Sequence, residues 1–254
     1  MPRIRLTVAY VGTRYQGWQV QGQGLTIQGM LEDKLARICG ELVRVHGSGR
    51  TDSGVHALAQ VAHFDVPESK AHIPWQKALN AMLPDDIAIL DAREAEPGFH
   101  ARFSVRSKRY AYTLWTEPGY TLPQRAPFVW SVRGLDFEAM DRAAAMLAGT
   151  HDFAAFQNAG TEIKGTVRTL EPVLRAPGQH PAEWVFRFQA DGFLKQMVRN
   201  LMGLLVEVGR GGLRVDEVQA ILEGLDRCKA PATAPAQGLA LEEVFYQEEA
   251  LNAS

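Results

Sequence analysis

The chain has 254 residues, is 46% hydrophobic and 22% charged, and carries a formal net charge of −2, which is typical of a soluble globular protein of one large or two small domains. Its two cysteines, Cys39 and Cys228, are far apart and lack metal-ligand spacing. This argues against a disulfide framework and fits a reducing compartment. Since no apolar run has membrane-spanning length and no secretory signal is evident, we expect a cytoplasmic protein without membrane contact.

The first half of the chain predicts alternating strands and helices. Alternate residues from Ile4 to Tyr10 are apolar, which indicates a half-buried strand. Thr26 and Gly40 stand where a helix N-cap and C-cap are expected. In chain order we predict a strand at 3–10, a helix between Thr26 and Gly40, strands at 42–46 and 58–66, a helix from Pro74 to about 83, and a strand at 86–92.

The second half predicts a similar order of elements. They are a strand at 107–117, a surface connection at 118–127, a helix at 136–147, strands at 167–175 and 183–191, an amphipathic helix at 194–208, a short helix from 216 and a strand at 239–246. Strand-helix-strand-strand-helix-strand order in each half predicts an α+β fold of two ferredoxin-like halves, 1–104 and 105–254. We expect one continuous mixed or antiparallel sheet, helices packed on it, and a central cleft for the substrate.

A glycine-rich run at 47–57 combines small residues with one arginine and one carboxylate. Glycines allow unusual backbone conformations and the close approach of a ligand. Asp52 on such a loop is a candidate nucleophile or acid/base, which Arg50 could orient and keep ionised. The alternative is a β-turn in which Asp52 caps its own backbone and Arg50 is solvated.

Basic and aromatic residues alternate between Phe99 and Tyr112, where four cations occur without a carboxylate. A basic groove within a nearly neutral protein is one interpretation, and a solvated cationic strand edge is the other. Tyr110 on this strand is a candidate site residue or a core tyrosine with a satisfied hydroxyl. Arg199 is similarly open to two interpretations, because a cation on the polar face of a helix is usually solvated.

Several common site motifs are absent from the sequence. Gly47-Ser48-Gly49 lacks the third glycine of a dinucleotide fingerprint. No histidine pair has zinc-ligand spacing, and there is no Gly-x-Ser-x-Gly nucleophile elbow. We therefore expect chemistry without a metal or small-molecule cofactor, carried by carboxylate, arginine and tyrosine side chains.

Nearly the whole chain resembles the tRNA pseudouridine synthase A family, whose enzymes isomerise uridine in the anticodon stem-loop. No single motif is specific, but their number and order are. Two departures are Lys195-Gln196, where the family commonly has an aromatic-histidine pair, and 157–160, which lacks a cysteine often found there. The matching motifs are Tyr10–Gln19, Thr26-Ile27-Gln28, Gly49–Ala57, Phe99–Ser104, Lys108–Tyr112, His151-Asp152-Phe153, Phe193–Gly203 and Ala234–Leu241.

The resemblance implies roles for individual residues. Asp52 matches the essential aspartate and Arg50 its neighbouring arginine, whereas Tyr110 matches the active-site tyrosine. Arg199 matches the arginine that pairs with the aspartate, and Leu239 matches an apolar residue of the base pocket. It also implies a cofactor-free homodimer that acts on the tRNA anticodon arm at positions 38, 39 and 40.

The sequence leaves several points open. Asp52 could attack the sugar or the base, or abstract a proton, and Arg50 could displace the base or only orient Asp52. Two rival functions also remain: a non-catalytic RNA-binding protein that uses the same basic cleft, and a carboxylate-based nucleoside hydrolase. The hydrolase is disfavoured because a glycosidase normally uses two carboxylates, and no second acidic residue lies near Asp52 in the motif.

Overall fold

The computed structural model describes residues 1–160 and 165–247. The chain divides into two compact units, each of mixed α/β structure. Unit 1 comprises Met1–Arg106 and the described residues from 240 onward, and unit 2 comprises Ser107–Leu239. Among the described residues, no helix is long and apolar enough to cross a membrane.

Unit 1 contains a mixed sheet with two helices. Its strands are β1 (Arg3–Tyr10), β2 (His46–Gly47), β3 (His56–Asp65), β4 (Ile87–Glu94) and β11 (Leu239–Tyr246), and its helices are α1 (Ile27–Cys39) and α2 (Trp75–Asn80). The order across the sheet is β4, β1, β3, β11, with β2 also paired to β3. The β3–β11 pair is parallel, and the other pairs are antiparallel.

The predicted strand 3–10 and helix 27–39 are confirmed. Alternate residues of β1 are buried, as the period-2 pattern requires. The Thr26 side chain accepts a hydrogen bond from the Gly29 N–H, and Gly40 ends α1 in the left-handed conformation with φ 79°.

The prediction of a strand over 42–46 was largely wrong, because only His46 of that range lies in β2. Side chains of α1 take the backbone hydrogen bonds that a sheet partner would otherwise supply. The Val45 N–H donates to Glu32 Oε1 (3.0 Å), and the Val45 carbonyl accepts from Gln28 Nε2 (3.0 Å). The segment buries Val43 and Val45 but is held by a helix, and a strand-like hydrophobic pattern does not distinguish these two cases.

Unit 2 contains further strands and three helices within its described residues. The strands are β5 (Val105–Trp115), which begins at the end of unit 1, β6 (Trp130–Ser131), β7 (Gly149–Asp152), β8 (Val167–Leu170), β9 (Leu174–Pro177) and β10 (Glu183–Ala190). The helices are α3 (Phe137–Leu147), α4 (Met197–Gly209) and α5 (Glu217–Glu223). The order is β5, β10, β8, β7, with β6 paired to β5 and β9 paired to β10.

Two predicted elements of unit 2 differ from the structure. The strand predicted at 167–175 is divided into β8 and β9, and Pro172 between them has no N–H for a sheet ladder. The helix predicted from 194 begins at Met197, because Gln196 at its N-cap has φ 61° and interrupts the helical backbone. The short strands β6 and β7 were not predicted, whereas α3 begins after Asp136 as expected.

A row of basic side chains crosses the sheet of unit 1. His46 lies opposite His63, His63 opposite Arg5, and Arg5 opposite Arg93, so all four project from one face. We call these four residues the basic row. The face is the one opposite Ile4 and the other buried residues of β1.

Burial lowers the pKa of His63 to about 4, and the positive charges of Arg3, His100 and His46 act in the same direction. The ring is 1% exposed, and its Nδ1 accepts a hydrogen bond from the Ala101 N–H (3.1 Å). His63 is therefore neutral in the folded protein at neutral pH. Because its pKa is lower when folded, its contribution to stability is present above about pH 6.5 and is lost as the pH falls towards 4.

We predict that the free energy of unfolding falls by about 2 kcal/mol more between pH 7.5 and pH 5 in the wild type than in His63→Asn. Asn Oδ1 can replace Nδ1 as an acceptor but does not titrate. Urea unfolding at the two pH values measures the difference. His72→Asn, at an exposed histidine, is the control. An equal pH dependence in wild type and His63→Asn would contradict the assignment.

Candidate active site

The loop that carries Arg50 and Asp52 connects β2 to β3 in unit 1. Its first residues are fixed by Gln60, which is 0% exposed. Ser48 Oγ donates to Gln60 Oε1 (2.5 Å), and Gln60 Nε2 donates to the Gly49 carbonyl (3.1 Å). One buried amide of β3 therefore sets the point where the chain leaves the sheet.

Thr51 is anchored on both its side chain and its backbone. Its Oγ1 lies 2.8 Å from Tyr10 Oη, and its carbonyl accepts from the Trp18 N–H (3.1 Å). Thr51 and Tyr10 are only 7% and 4% exposed. Burial raises the pKa of the Tyr10 hydroxyl above its usual range, so Tyr10 is a neutral hydrogen-bonding partner. The residue before Asp52 is thus held in the protein interior.

A tight turn follows Asp52. The Val55 N–H donates to the Asp52 carbonyl (3.2 Å), and Gly54 has φ 80°, a conformation that glycine adopts without a Cβ penalty. Tyr15 provides a further anchor, since its carbonyl accepts from the Gly54 N–H (3.3 Å) and from Ser53 Oγ (3.2 Å). The backbone carbonyl of Asp52 closes this turn, and its side chain is half-buried.

The segment that supports this loop is itself fixed by Asp86. Tyr15 Oη donates to Asp86 Oδ1 (2.7 Å), while Arg14 lies 2.7 Å from Oδ2, and the Asp86 backbone carbonyl accepts from the Val11 N–H (2.9 Å). Burial and the adjacent carboxylate raise the pKa of Tyr15 to about 12. Neither Asp86 nor Tyr15 was predicted from the sequence to support the loop, although Tyr15 lies in the matching motif Tyr10–Gln19.

Gly17 lies in close contact with the loop that carries Asp52. Its φ is +86°, and a Cβ at this position would overlap the Thr51 carbonyl oxygen and lie 3.0 Å from the Asp52 carbonyl carbon. A side chain at residue 17 would therefore displace the backbone on which Asp52 is mounted.

Arg50 is exposed and, within the described part of the chain, forms no hydrogen bond or ion pair. The exposed guanidinium of Arg50 lies next to the buried Thr51 in sequence and is accessible to an anion from solution.

Tyr110, Arg199 and Leu239 belong to unit 2. Tyr110 lies on β5 opposite Phe188, is 8% exposed, and packs edge-on against Phe193 with ring centroids 5.1 Å apart. Leu239 is 5% exposed and begins β11, in which the next residue, Ala240, pairs with His56.

Arg199 is half-buried on α4 and is not merely a solvated cation. Its Nε donates to the Ala234 carbonyl (2.7 Å), and its own carbonyl accepts from the Ala234 N–H (3.1 Å). Burial raises the pKa of the nearby Tyr112, with the Arg199 charge opposing it, and Tyr112 Oη donates to the Pro235 carbonyl (2.7 Å). Arg199 and Tyr112 therefore hold consecutive carbonyls of the segment that leads to Leu239.

A polar network holds residues 230–233, which directly precede that segment. The Arg227 guanidinium donates to Asn158 Oδ1 (2.7 Å), Asn200 Oδ1 (3.1 Å) and Thr233 Oγ1 (2.9 Å). It also donates to the carbonyls of residues 230 and 231 (3.0 Å each). Asn200 is 0% exposed and lies next to Arg199 on α4. The role of Arg227 in this network was not predicted from the sequence, because its acceptors are neutral and come from three separate segments.

Among the described residues, no group of three or more histidine, cysteine, aspartate or glutamate side chains is arranged to hold a metal ion. Unit 1 contains Arg50 and Asp52 on one loop, and unit 2 contains Tyr110, Arg199 and Leu239 on β5, α4 and the start of β11.

Comparison with known proteins identifies consistent relatives. A family described as tRNA pseudouridine synthase matches residues 6–104 and 143–247. The tRNA pseudouridine synthase A of Solidesulfovibrio magneticus is 57% identical over 251 residues, which cover 97% of this chain and 92% of the relative. Proteins of the same name from Nitratidesulfovibrio vulgaris, Hildenborough strain (50% identical, covering 97% of both chains), and Geobacillus kaustophilus (43%, covering 98% of this chain and 96% of the relative) are also similar.

We predict that Gly17→Ala destabilises the protein by about 1–3 kcal/mol more than Gly40→Ala. Both glycines have a positive φ (+86° and +79°), but a Cβ on Gly40 would meet nothing within 4 Å. Gly40→Ala therefore reports the backbone penalty alone, of about 1–2 kcal/mol. Urea unfolding of both variants measures the difference. Equal losses of stability would show that the contact between Gly17 and the loop is not tight.

Proposed function

Because this chain belongs to the tRNA pseudouridine synthase family, we propose that it is an isomerase that converts uridine to pseudouridine in tRNA. The observation that carries the proposal is the family match, which includes Asp52 and Arg199. The more specific target is the anticodon stem-loop at positions 38, 39 and 40.

The reaction breaks the C1′–N1 glycosidic bond, rotates the uracil and forms a C1′–C5 bond. The proton at C5 leaves and N1 gains a proton, so atoms and electrons balance without a redox partner, a group donor or water. A cofactor-free site of carboxylate, arginine and tyrosine is therefore sufficient in principle.

Asp52 is proposed as the carboxylate that initiates the reaction, by attack on the sugar or on the base or by removal of a proton. Support comes from its surroundings: the residues on both sides of Asp52 are fixed by Tyr10, Trp18 and Tyr15. A fixed backbone places the carboxylate with little reorganisation when substrate binds, which is the condition for efficient positioning.

The remaining roles are distributed over both parts of the chain. We propose that the Arg199 guanidinium pairs with the Asp52 carboxylate when the site is assembled. Tyr110 stacks on the uracil and assists removal of the C5 proton, while Leu239 lines the base pocket. Arg50 contacts the RNA rather than orienting Asp52, which is supported by its exposure.

This assignment needs residues 1–104, which carry the Asp52 loop, and residues 105–254, which complete the site. We accordingly propose the architecture expected from the sequence, in which two ferredoxin-like halves share a continuous sheet and form a central cleft. The target base must leave its stack, which costs a few kcal/mol. Stacking on Tyr110 offsets about 1–3 kcal/mol of that cost.

We further propose that the enzyme acts in the cytoplasm as a homodimer that binds the anticodon arm of tRNA. Free thiols at Cys39 and Cys228 support a reducing compartment. Sedimentation of the purified protein tests the dimer, and a monomer at micromolar concentration would remove this part of the proposal.

The central test uses unmodified tRNA labelled with tritium at C5 of uridine. Wild-type protein should release tritium into water, whereas Asp52→Asn should be slower by a factor of about 10³ or more while still binding tRNA. Asp85→Asn, at an exposed aspartate of the same unit, should retain wild-type release.

The outcomes distinguish the rival functions. If the wild type binds tRNA but releases no tritium, the protein is an RNA-binding protein and the isomerase proposal fails. If free uracil appears in place of a carbon-linked nucleoside, the protein is a nucleoside hydrolase. Mapping the modified positions tests the assignment to 38, 39 and 40.

For Tyr110, we predict that Tyr110→Phe slows tritium release by about 10²-fold or more, because the ring is kept but the proton-transferring hydroxyl is lost. Affinity for tRNA should change little, since Phe also stacks on a base. Tyr120→Phe, at a tyrosine that is 52% exposed, is the matched control. Wild-type tritium release by Tyr110→Phe would restrict Tyr110 to packing or stacking.

A further inference from the structure

The turn His100–Ser104 of unit 1 is rigid and presents an exposed aromatic ring. Hydrogen bonds close it internally: the Ser104 N–H donates to the His100 carbonyl, and the Arg102 N–H donates to His100 Nδ1 (3.0 and 3.1 Å). It is also fixed from outside, because Tyr246 Oη donates to the Ala101 carbonyl (2.7 Å). Its backbone is therefore ordered before any ligand binds.

Phe103 on this turn is 76% exposed. One side of its ring faces His100, with ring centroids 4.3 Å apart and planes inclined by 30°. The Arg102 guanidinium lies 5.8 Å from the Phe103 ring centre. A single exposed apolar side chain needs no explanation by itself. An exposed ring on a fixed turn, beside an imidazole and a guanidinium, has the composition of a nucleobase-stacking site.

The surface beside the turn carries exposed arginines, whereas the buried His63 is neutral at neutral pH. The His100 ring lies 4.6 Å from His63 and 5.8 Å from His46, so the turn packs against the basic row. Arg102 and Arg106 are exposed on the chain that carries the turn. Nearby carboxylates are partly neutralised, since Asp65 pairs with Arg3 (2.7 Å) and Asp91 lies 3.7 Å from Arg93. Exposed Glu94 and Glu96 lie at the margin of this surface. The exposed guanidinium of Arg102 beside the turn can bind a phosphate group.

We propose that Phe103 stacks on an unpaired base of the tRNA substrate and that Arg102 binds an adjacent phosphate. This inference rests on the proposed function and names a second RNA contact on unit 1. His63 lies seven residues along β3 from His56, which corresponds to about 23 Å of strand. The contact thus lies well away from the start of β3, where the Asp52 loop ends, and holds the RNA without taking part in the reaction.

The test compares Phe103→Ala, Phe103→Trp and Arg102→Gln with Leu42→Ala. Leu42 is an exposed apolar residue of the same unit (94% exposed) and serves as the control. Filter binding gives Kd for unmodified tRNA over a range of salt concentrations, and tritium release gives kcat and KM. Urea unfolding confirms that each variant is folded.

Phe103→Ala should raise Kd and KM roughly 5- to 150-fold, the range for loss of one stacked base, with most of the lost activity recovered at high tRNA concentration. Phe103→Trp should restore binding. Arg102→Gln should weaken binding and reduce the slope of log K against log salt by about one. Leu42→Ala should behave as the wild type.

Two results would overturn the inference while leaving the isomerase proposal intact: wild-type Kd in Phe103→Ala, or conversion of a dimer to a monomer by that substitution, which would place Phe103 in a subunit interface. Failure of the wild-type protein to release tritium would instead refute the proposed function itself. Tight binding of tRNA by that inactive protein, weakened by Phe103→Ala, would still support the stacking contact.

Discussion

The close packing of residues 12–18 against the Asp52 loop is the constraint on which the candidate site depends. Without a Cβ, Gly17 allows the two backbones to touch, and the carbonyl of Tyr15 then receives donors from Ser53 and Gly54. Asp86 fixes the supporting segment in turn. The backbone that carries Asp52 is therefore fixed by contacts on both sides of this residue.

In unit 2, the Arg199 side chain is likewise held by a hydrogen bond to the backbone. The Arg199 guanidinium donates a hydrogen bond to the Ala234 carbonyl, so this side chain has lost rotamer freedom before substrate binds. Arg227 holds residues 230–233 by donating hydrogen bonds to neutral acceptors, two carbonyls and one hydroxyl, so no carboxylate takes part in these contacts. Each unit thus presents its polar groups on backbone that is fixed by buried hydrogen bonds, which are expensive to break.

Much of the architecture was predictable from local patterns. The caps Thr26 and Gly40 define α1, and the alternating residues of β1 define a buried face. The failures have physical causes that are not local. Residues 42–46 are held by side chains of α1, and Gln196 delays α4 by adopting a positive φ. The family motifs predict roles for Asp52 and Arg199, but the hydrogen bonds of Asp86 and Arg227 join residues distant in sequence, which no spacing rule reveals.

We propose that Asp52 and Arg199 act together in catalysis, and a double-mutant cycle tests this proposal most directly. Single-turnover rates of uridine isomerisation should be measured for the wild type, Asp52→Glu, Arg199→Lys and the double variant. If the two side chains interact, the combined loss should differ from the product of the single losses by about fivefold or more, equivalent to a coupling of about 1 kcal/mol. Losses that simply multiply would contradict the account.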